Sequence, residues 1–296
     1  MSVGVIGAGK WGSALAFAFS QKNDVYITSR TYRDIPNFVS LEKVLECEYI
    51  IITVPAQSVA SWLKENFVFG GQKILVASKG IEAHSGRFLN EIYREYVPDE
   101  NIAFLSGPSF AVEVMNSLPT ALVVNSTNEQ LSSEFMALLP DFIKGYSSVD
   151  VIGAEIAGAY KNVIAIAAGI CSGLKLGNNA SAALISRGLV EMQRFGRAYG
   201  ASDDTFVGLG GAGDLFLTAS SEMSRNFRVG LGLALGKSQD EILDDLGEVA
   251  EGIGTAYALN DISKSSKLYL PIAQEVYKML EGKSPQESLR DLLSKS

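Results

Sequence analysis

Val3-Gly4-Val5-Ile6-Gly7-Ala8-Gly9-Lys10-Trp11-Gly12 opens the chain in the order strand, glycine turn, helix. Residues 3–6 form a short apolar run, and residues 13–19 continue as small and apolar side chains in a helical pattern. The spacing G-x-G-x-x-G has a mechanical reason. Gly7 makes the tight turn, Gly9 lets backbone approach a pyrophosphate, and Gly12 lets the helix pack close to the strand. Amides at the helix N-terminus then face the phosphates. A glycine triplet alone is weak evidence, because turns use glycine without any ligand. Placed directly after a strand and opening a helix, it predicts dinucleotide binding, with Lys10 counted beside Gly7, Gly9 and Gly12 as a cofactor-binding candidate.

Working outward, a second strand at residues 25–28 ends in Ser29-Arg30, with Arg33 close behind. An NAD-selective site usually places an acid there against the ribose hydroxyls. Here the strand end is basic, so Arg30 and Arg33 predict a 2′-phosphate site and NADPH preferred, with NADH as the lesser cofactor; two ordinary surface arginines are the competing reading. Further strands fall at residues 49–54, 73–77, 102–105 and 121–124, separated by helical patterns such as 58–67 and 87–96. This alternation predicts an α/β chain built on a doubly wound parallel sheet, whose ligands bind beyond the carboxyl ends of the strands. Ser78-Lys79-Gly80 and Gly107-Pro108-Ser109-Phe110-Ala111 follow two of those ends, where the same residues also serve as plain turn chemistry.

After residues 142–147 the alternation stops, and the rest reads as helix. At 296 residues and 47% apolar content the chain is near the size at which single cores divide. Two domains are expected, residues 1–149 and 150–296. The net charge of −8 and the lack of any lysine or arginine run argue against nucleic acid as a partner. His84 is the only histidine and the two cysteines, Cys47 and Cys171, lie far apart, so no metal site is expected and reduced thiols in a cytoplasm fit better than disulfides. The first residues show no basic region followed by a cleavage-like site, which argues against a secretory signal.

Residues 155–171 are apolar almost throughout and carry one lysine, Lys161, followed by Asn162. The run is short for a membrane span of ~20 residues and predicts a helix buried in protein. An ammonium in such a segment must pair, lie against a cleft or lose its charge, each of which suits proton transfer; a lysine that snorkels to the surface is the alternative. Residues 208–213 place four glycines ahead of Asp214, with Thr218 one turn later if the segment after it is helical. Ser224-Arg225-Asn226 precede a helical pattern at residues 229–235, an arrangement that reads as an anion clamp or as an N-cap beside a surface arginine. Residues 247–254 carry Glu248 and Glu251 between glycines, and residues 285–293 read as a closing amphipathic helix.

Taken in order, Gly7 to Gly12, Ser78-Lys79-Gly80, Gly107 to Ala111, Ala159-Tyr160-Lys161-Asn162, Gly213-Asp214-Leu215 with Thr218, Ser224-Arg225-Asn226 and Glu248 to Gly252 resemble the NAD(P)-dependent glycerol-3-phosphate dehydrogenases of the soluble, bacterial type. The resemblance implies an N-terminal Rossmann-type domain, an all-helical C-terminal domain, and reversible reduction of dihydroxyacetone phosphate to sn-glycerol 3-phosphate for phospholipid synthesis. It implies Lys161 as proton donor and acceptor with Asp214 beside it as a catalytic candidate. Substrate contacts implied are Lys79, Gly107, Ser109, Lys161, Asp214, Ser224, Arg225 and Asn226, to which Thr218 is added by its spacing. Cofactor contacts implied are Trp11, Arg30, Arg33, Lys79, Ala111, Arg225, Val249 and Glu251. Partners are then the small-molecule substrate, with a homodimer compatible with the sequence but not fixed by it. The rival readings are another two-domain NADP-dependent hydroxy-acid or imine reductase, and a cofactor-binding protein without catalysis.

Overall fold

The structure is a computed structural model, described over residues 1–294; the last two residues of the expected 150–296 domain, Lys295 and Ser296, lie outside the described residues. Seven strands form one sheet: β1 Ser2–Ile6, β2 Asp24–Thr28, β3 Tyr49–Ile52, β4 Lys73–Val76, β5 Ile102–Ser106, β6 Thr120–Asn125 and β7 Ile143–Ser148. Their order is β2-β1-β3-β4-β5-β6-β7. All four residues of β3 are buried, as is usual for a strand covered on both faces. Val3, Val5, Leu15, Phe19, Ile51, Leu75 and Phe135 belong to the core around the sheet.

The sheet is mostly parallel, as the alternation of strands and helices predicts, with one antiparallel pair. β5 and β6 pair antiparallel, with Phe104 opposite Asn125, while β6 and β7 return to parallel pairing. The reason lies in the connection. Between β5 and β6 the chain carries only the five-residue helix Ala111–Met115. At ~1.5 Å per residue such a helix spans roughly 8 Å, too short to carry the chain back along a strand for a parallel crossover.

The chain divides into two compact units, Met1–Ser78 with Asn90–Ala154, and Lys79–Leu89 with Glu155–Ser296. The division therefore falls at residue 154 and sends a short excursion, Lys79–Leu89, to the second unit. Within that excursion Ile81 bridges Phe88, and the Phe88 ring meets Phe195 and Tyr199 at 6.3 and 5.0 Å between centroids.

From residue 151 the described residues are helices and their connections. Helix Val151–Gly173 runs from the end of the first unit into the second. It has 23 residues, so the expectation of a segment too short to span a membrane is corrected; yet 94% of its most apolar window is buried inside the protein. Its glycines let other helices approach to backbone contact. A Cβ at Gly169 would lie 2.0 Å from the Phe227 carbonyl oxygen, and one at Gly230 would lie 2.0 Å from that of Ile166. This crossing packs helix Arg225–Ala234 directly on helix Val151–Gly173.

Candidate active site

In the first unit, β1 delivers the chain to Gly7, whose φ of +107° is open to glycine at little cost. The Gly7 N–H donates to the Thr28 carbonyl at 2.8 Å, anchoring the turn to the end of β2. From the other side, the Thr53 hydroxyl lies 3.0 Å from the carbonyl oxygens of both Ile6 and Gly7. A Cβ at Gly7 would lie 2.3 Å from that hydroxyl, and one at Gly12 would lie 1.8 Å from the Gly7 carbonyl. Gly9 differs: nothing lies within 4 Å of the position its Cβ would take. It is the N-cap of helix Lys10–Ser20, whose first turn carries no acid. Helix amides with open space before them and no carboxylate in the first turn fit a dinucleotide pyrophosphate. The sequence reading did not find Thr53, because its place depends on the pairing of β1 with β3 and no motif marks it.

Other candidates in this unit are spread over its strand ends. Trp11 and Ala111 pack, partly buried, against the sheet core. Arg30 and Arg33 are exposed beyond β2, where the Ser29 hydroxyl donates to the Thr31 carbonyl at 2.6 Å and shapes the bend between them. Gly107 turns with φ +111° after β5, and the Ser109 hydroxyl donates to its carbonyl at 3.3 Å.

The second unit assembles Lys79, Lys161, Asp214 and Thr218 into one cluster. Asp214 opens helix Asp214–Ala219, directly after the π-helical turn Leu209–Gly213. Gly211 in that turn has no room for a side chain, since its Cβ would fall 2.2 Å from the Phe206 carbonyl oxygen. Only backbone that close lets the segment carry Asp214 inward, where it is 1% exposed. Lys161 Nζ donates to Asp214 Oδ1 and, at 3.0 Å, to the Thr218 hydroxyl. Thr218 in turn donates to the Asp214 carbonyl at 2.6 Å, so its oxygen is held in place as an acceptor. Lys79 Nζ donates to Asp214 Oδ2 at 2.7 Å. Its stem lies across Gly158, whose absent Cβ would sit 3.4 Å from it.

Two ammonium groups thus share one carboxylate, and the cluster carries net positive charge in a dry place. Burial pushes the Lys161 ammonium down to about 8; Asp214 pulls the other way but its charge is divided, and Lys79 adds repulsion. Burial alone would raise the Asp214 carboxyl, but Lys161 and Lys79 together hold it below the ordinary carboxylate range. A lysine near neutrality beside a fixed acid can give and take a proton, while the surplus positive charge favours an oxygen that becomes negative.

Ser224, Arg225 and Asn226 lie at the start of helix Arg225–Ala234 and not ahead of it, a correction to the position read from sequence. The cause is Ser224, whose side chain accepts from the Phe227 N–H at 3.2 Å and starts the helix four residues earlier than its apolar pattern. Arg225 is half exposed and pairs with Glu248 at 3.4 Å. Asn226 is buried, its side-chain oxygen accepting from the Gly252 N–H at 3.0 Å. That contact ties the helix start to the segment bearing Val249, which is exposed, and Glu251, the first residue of helix Glu251–Ser266. Among the described residues, no group of three or more His, Cys, Asp and Glu is placed to hold a metal ion.

Comparison with known proteins adds an independent line. The family profile described as NAD-dependent glycerol-3-phosphate dehydrogenase C-terminus matches residues 150–290, and the corresponding N-terminus profile matches residues 30–132. The chain is 71% identical over 292 residues to the glycerol-3-phosphate dehydrogenase [NAD(P)+] of Sulfurimonas denitrificans, covering 99% of each chain. Against the enzyme of the same name from Nitratiruptor sp. it is 60% identical, covering 100% of this chain and 99% of that one. Among solved structures, glycerol-3-phosphate dehydrogenase from Coxiella burnetii superposes with a TM-score of 0.91 at 31% identity, covering 99% of both chains. On sequence over its full length and on fold, the chain belongs to the NAD-dependent glycerol-3-phosphate dehydrogenase family.

Proposed function

We propose that the chain is a glycerol-3-phosphate dehydrogenase that reversibly reduces dihydroxyacetone phosphate to sn-glycerol 3-phosphate in the cytoplasm, feeding glycerophospholipid synthesis. The observation that carries the reading is the buried Lys161–Asp214–Lys79 cluster, in a chain that belongs to this family. In this reading the first unit is the dinucleotide-binding domain and the second the substrate and catalytic domain. Gly7, Gly9, Lys10, Trp11, Gly12, Arg30, Arg33 and Ala111 would hold the cofactor, and Lys79, Arg225, Val249 and Glu251 are further contacts that the family resemblance implies. A bound reduced dinucleotide supplies the hydride for the ketone carbon.

The protein's own groups manage charge and proton. Lys161 gives a proton from Nζ to the carbonyl oxygen as negative charge grows there, and takes it back in the reverse direction. Asp214 fixes the ammonium in orientation, and Thr218 limits its swing through the 3.0 Å contact. Lys79 adds positive potential, which both stabilises the developing oxyanion and keeps the proton on Lys161 transferable. Ser224, Arg225 and Asn226 grip the substrate phosphate, with Gly107 and Ser109 as further contacts, so binding far from the reacting carbon sets orientation.

Arg30 and Arg33, with no acid at the end of β2, support NADPH preferred over NADH. The test is absorbance-followed oxidation of each reduced cofactor with dihydroxyacetone phosphate. Oxidation of both is expected, with the larger kcat/KM for NADPH. No oxidation of either overturns the activity, an NADH preference overturns the selectivity, and equal rates with unphosphorylated dihydroxyacetone favour the rival reductase reading.

A further inference from the structure

Helix Val151–Gly173 is built largely of alanine, glycine and branched aliphatics. Such a surface has little relief, and at Gly169 and Gly230 it meets helix Arg225–Ala234 backbone to backbone. Interlocking ridges, which normally fix one helix against another, are low at this crossing. Rotation about the helix axis matters to the site. With side chains a helix is ~10–12 Å across, so a turn of roughly 10° carries a group at its rim by about 1 Å. A displacement of that size can cost ~10² in rate when the group does chemistry.

Tyr160, the residue before Lys161, is fully buried. Its hydroxyl donates to Glu191 Oε1 at 2.7 Å, and its ring packs on Phe195 at 5.6 Å. Glu191 is 2% exposed and comes from helix Asn178–Ala198. It also accepts from the Ala273 N–H through Oε1 and from the Ile272 N–H through Oε2, each at 2.9 Å. Those amides open helix Pro271–Leu280, whose N-cap residue, Leu270, makes no side-chain cap. The carboxylate therefore caps a third helix at its positive end, and both of its oxygens are held by fixed donors. Burying this acid and this hydroxyl costs stability that an apolar pair of the same volume would not. Fully satisfied, however, the network defines one arrangement of three helices.

Resting on the assignment of Lys161 as proton donor, we propose that Tyr160 and Glu191 are positioning residues. Their hydrogen bond fixes the rotation of helix Val151–Gly173, and so places the Lys161 ammonium against Asp214 and Thr218. Successive residues on a helix point ~100° apart. The phenol and the ammonium therefore hold the helix to neighbours on different sides, Glu191 on one and Asp214 on the other.

Tyr160→Phe removes only the hydroxyl and leaves the ring. With the full-length enzyme, kcat for dihydroxyacetone phosphate reduction is expected to fall about tenfold while KM stays unchanged. The midpoint of the kcat pH profile is expected to move by about half a unit, because the contacts that set the Lys161 ammonium have shifted. A merely structural bond would lower the melting temperature and leave both readings alone. Glu191→Gln is the second variant, with the same signature expected. Wild-type kcat and pH midpoint in both variants overturn the proposal, and so does failure of both to fold, which would assign the bond to folding alone. Lys161→Met separates the levels: near-normal turnover there removes the underlying assignment, whereas loss of turnover there beside normal Tyr160→Phe kinetics removes this inference only.

Discussion

Two lysine–carboxylate clusters in the helical unit are made of the same groups and behave oppositely. In one, Lys161 and Lys79 share Asp214. In the other, Lys278 and Lys283 share Glu275, with Asp291 also taking Lys283. Both acids are almost fully buried. The difference lies at Lys161: its side chain is 9% exposed, whereas Lys79 and Lys283 are each 20% and Lys278 is 45% exposed. Burial therefore drives Lys161 down to about 8. Hydrogen bonds to Asp291 and Glu275 raise Lys283 instead. At Lys161 the desolvation outweighs what pairing with Asp214 returns, whereas at Lys283 the pairing outweighs the smaller desolvation. The peripheral cluster fastens helix Pro285–Ser294 to helix Pro271–Leu280, and the buried one holds a lysine whose charged form burial disfavours.

The largest expected effect is at Lys161. Lys161→Met should lower kcat by ~10²–10⁴, the range for a lost general acid, without lowering stability at pH 7 in urea denaturation. Near-normal turnover would erase the contrast between the clusters. Next is Asp214→Asn, which leaves two ammonium groups without their carboxylate and should cost about 3–5 kcal/mol in denaturation. Glu275→Gln should cost less, about 1.5–3 kcal/mol, because its lysines can turn to water. Equal losses at the two acids would refute the role given to burial.

The pH dependence sharpens the comparison further. With Lys161 near 8, kcat for reduction should fall as pH rises through about 8, and kcat for oxidation should rise through the same point. The stability effects have opposite signs. Between about 8 and its ordinary value of 10.5, Lys161 binds a proton only in the unfolded chain, so its contribution to stability increases with pH. Lys283 is raised, so its contribution is full below its ordinary value and disappears as pH rises through the folded one. With stability measured across this range, relative to Lys161→Met the parent should gain stability as pH rises from about 8 to 10.5, whereas relative to Lys283→Met it should lose stability only above 10.5. The smallest effect is that of Lys283→Met at pH 7, at most ~1 kcal/mol with kcat unchanged; a fall in kcat there would mean that the clusters are coupled.

Much of this was legible in the chain because it rests on local rules. The glycine turn could be read since each glycine answers a separate steric demand, and Lys161 stood out because an ammonium in an apolar run requires an explanation. Asp214 stood out as the acid that follows a glycine-rich segment, and Thr218 followed from helical spacing after it. What escaped depends on pairing across the sequence. Thr53 acquires its role from the β1–β3 register, Glu191 from helices far apart in the chain, and the antiparallel β6 from the shortness of one helix. Ser224 shows the remaining limit: a side-chain cap extended a helix beyond its apolar pattern and moved Arg225 and Asn226 into its first turn.

The excursion Lys79–Leu89 has a practical consequence for dissecting the protein. The helical unit is discontinuous in sequence. A fragment starting at residue 155 would carry Asp214 and Lys161 but leave the second lysine behind in the other fragment. Splitting the chain at its apparent midpoint therefore divides the charge cluster itself, and a peptide spanning residues 79–89 is what a complementation assay would have to supply to restore it.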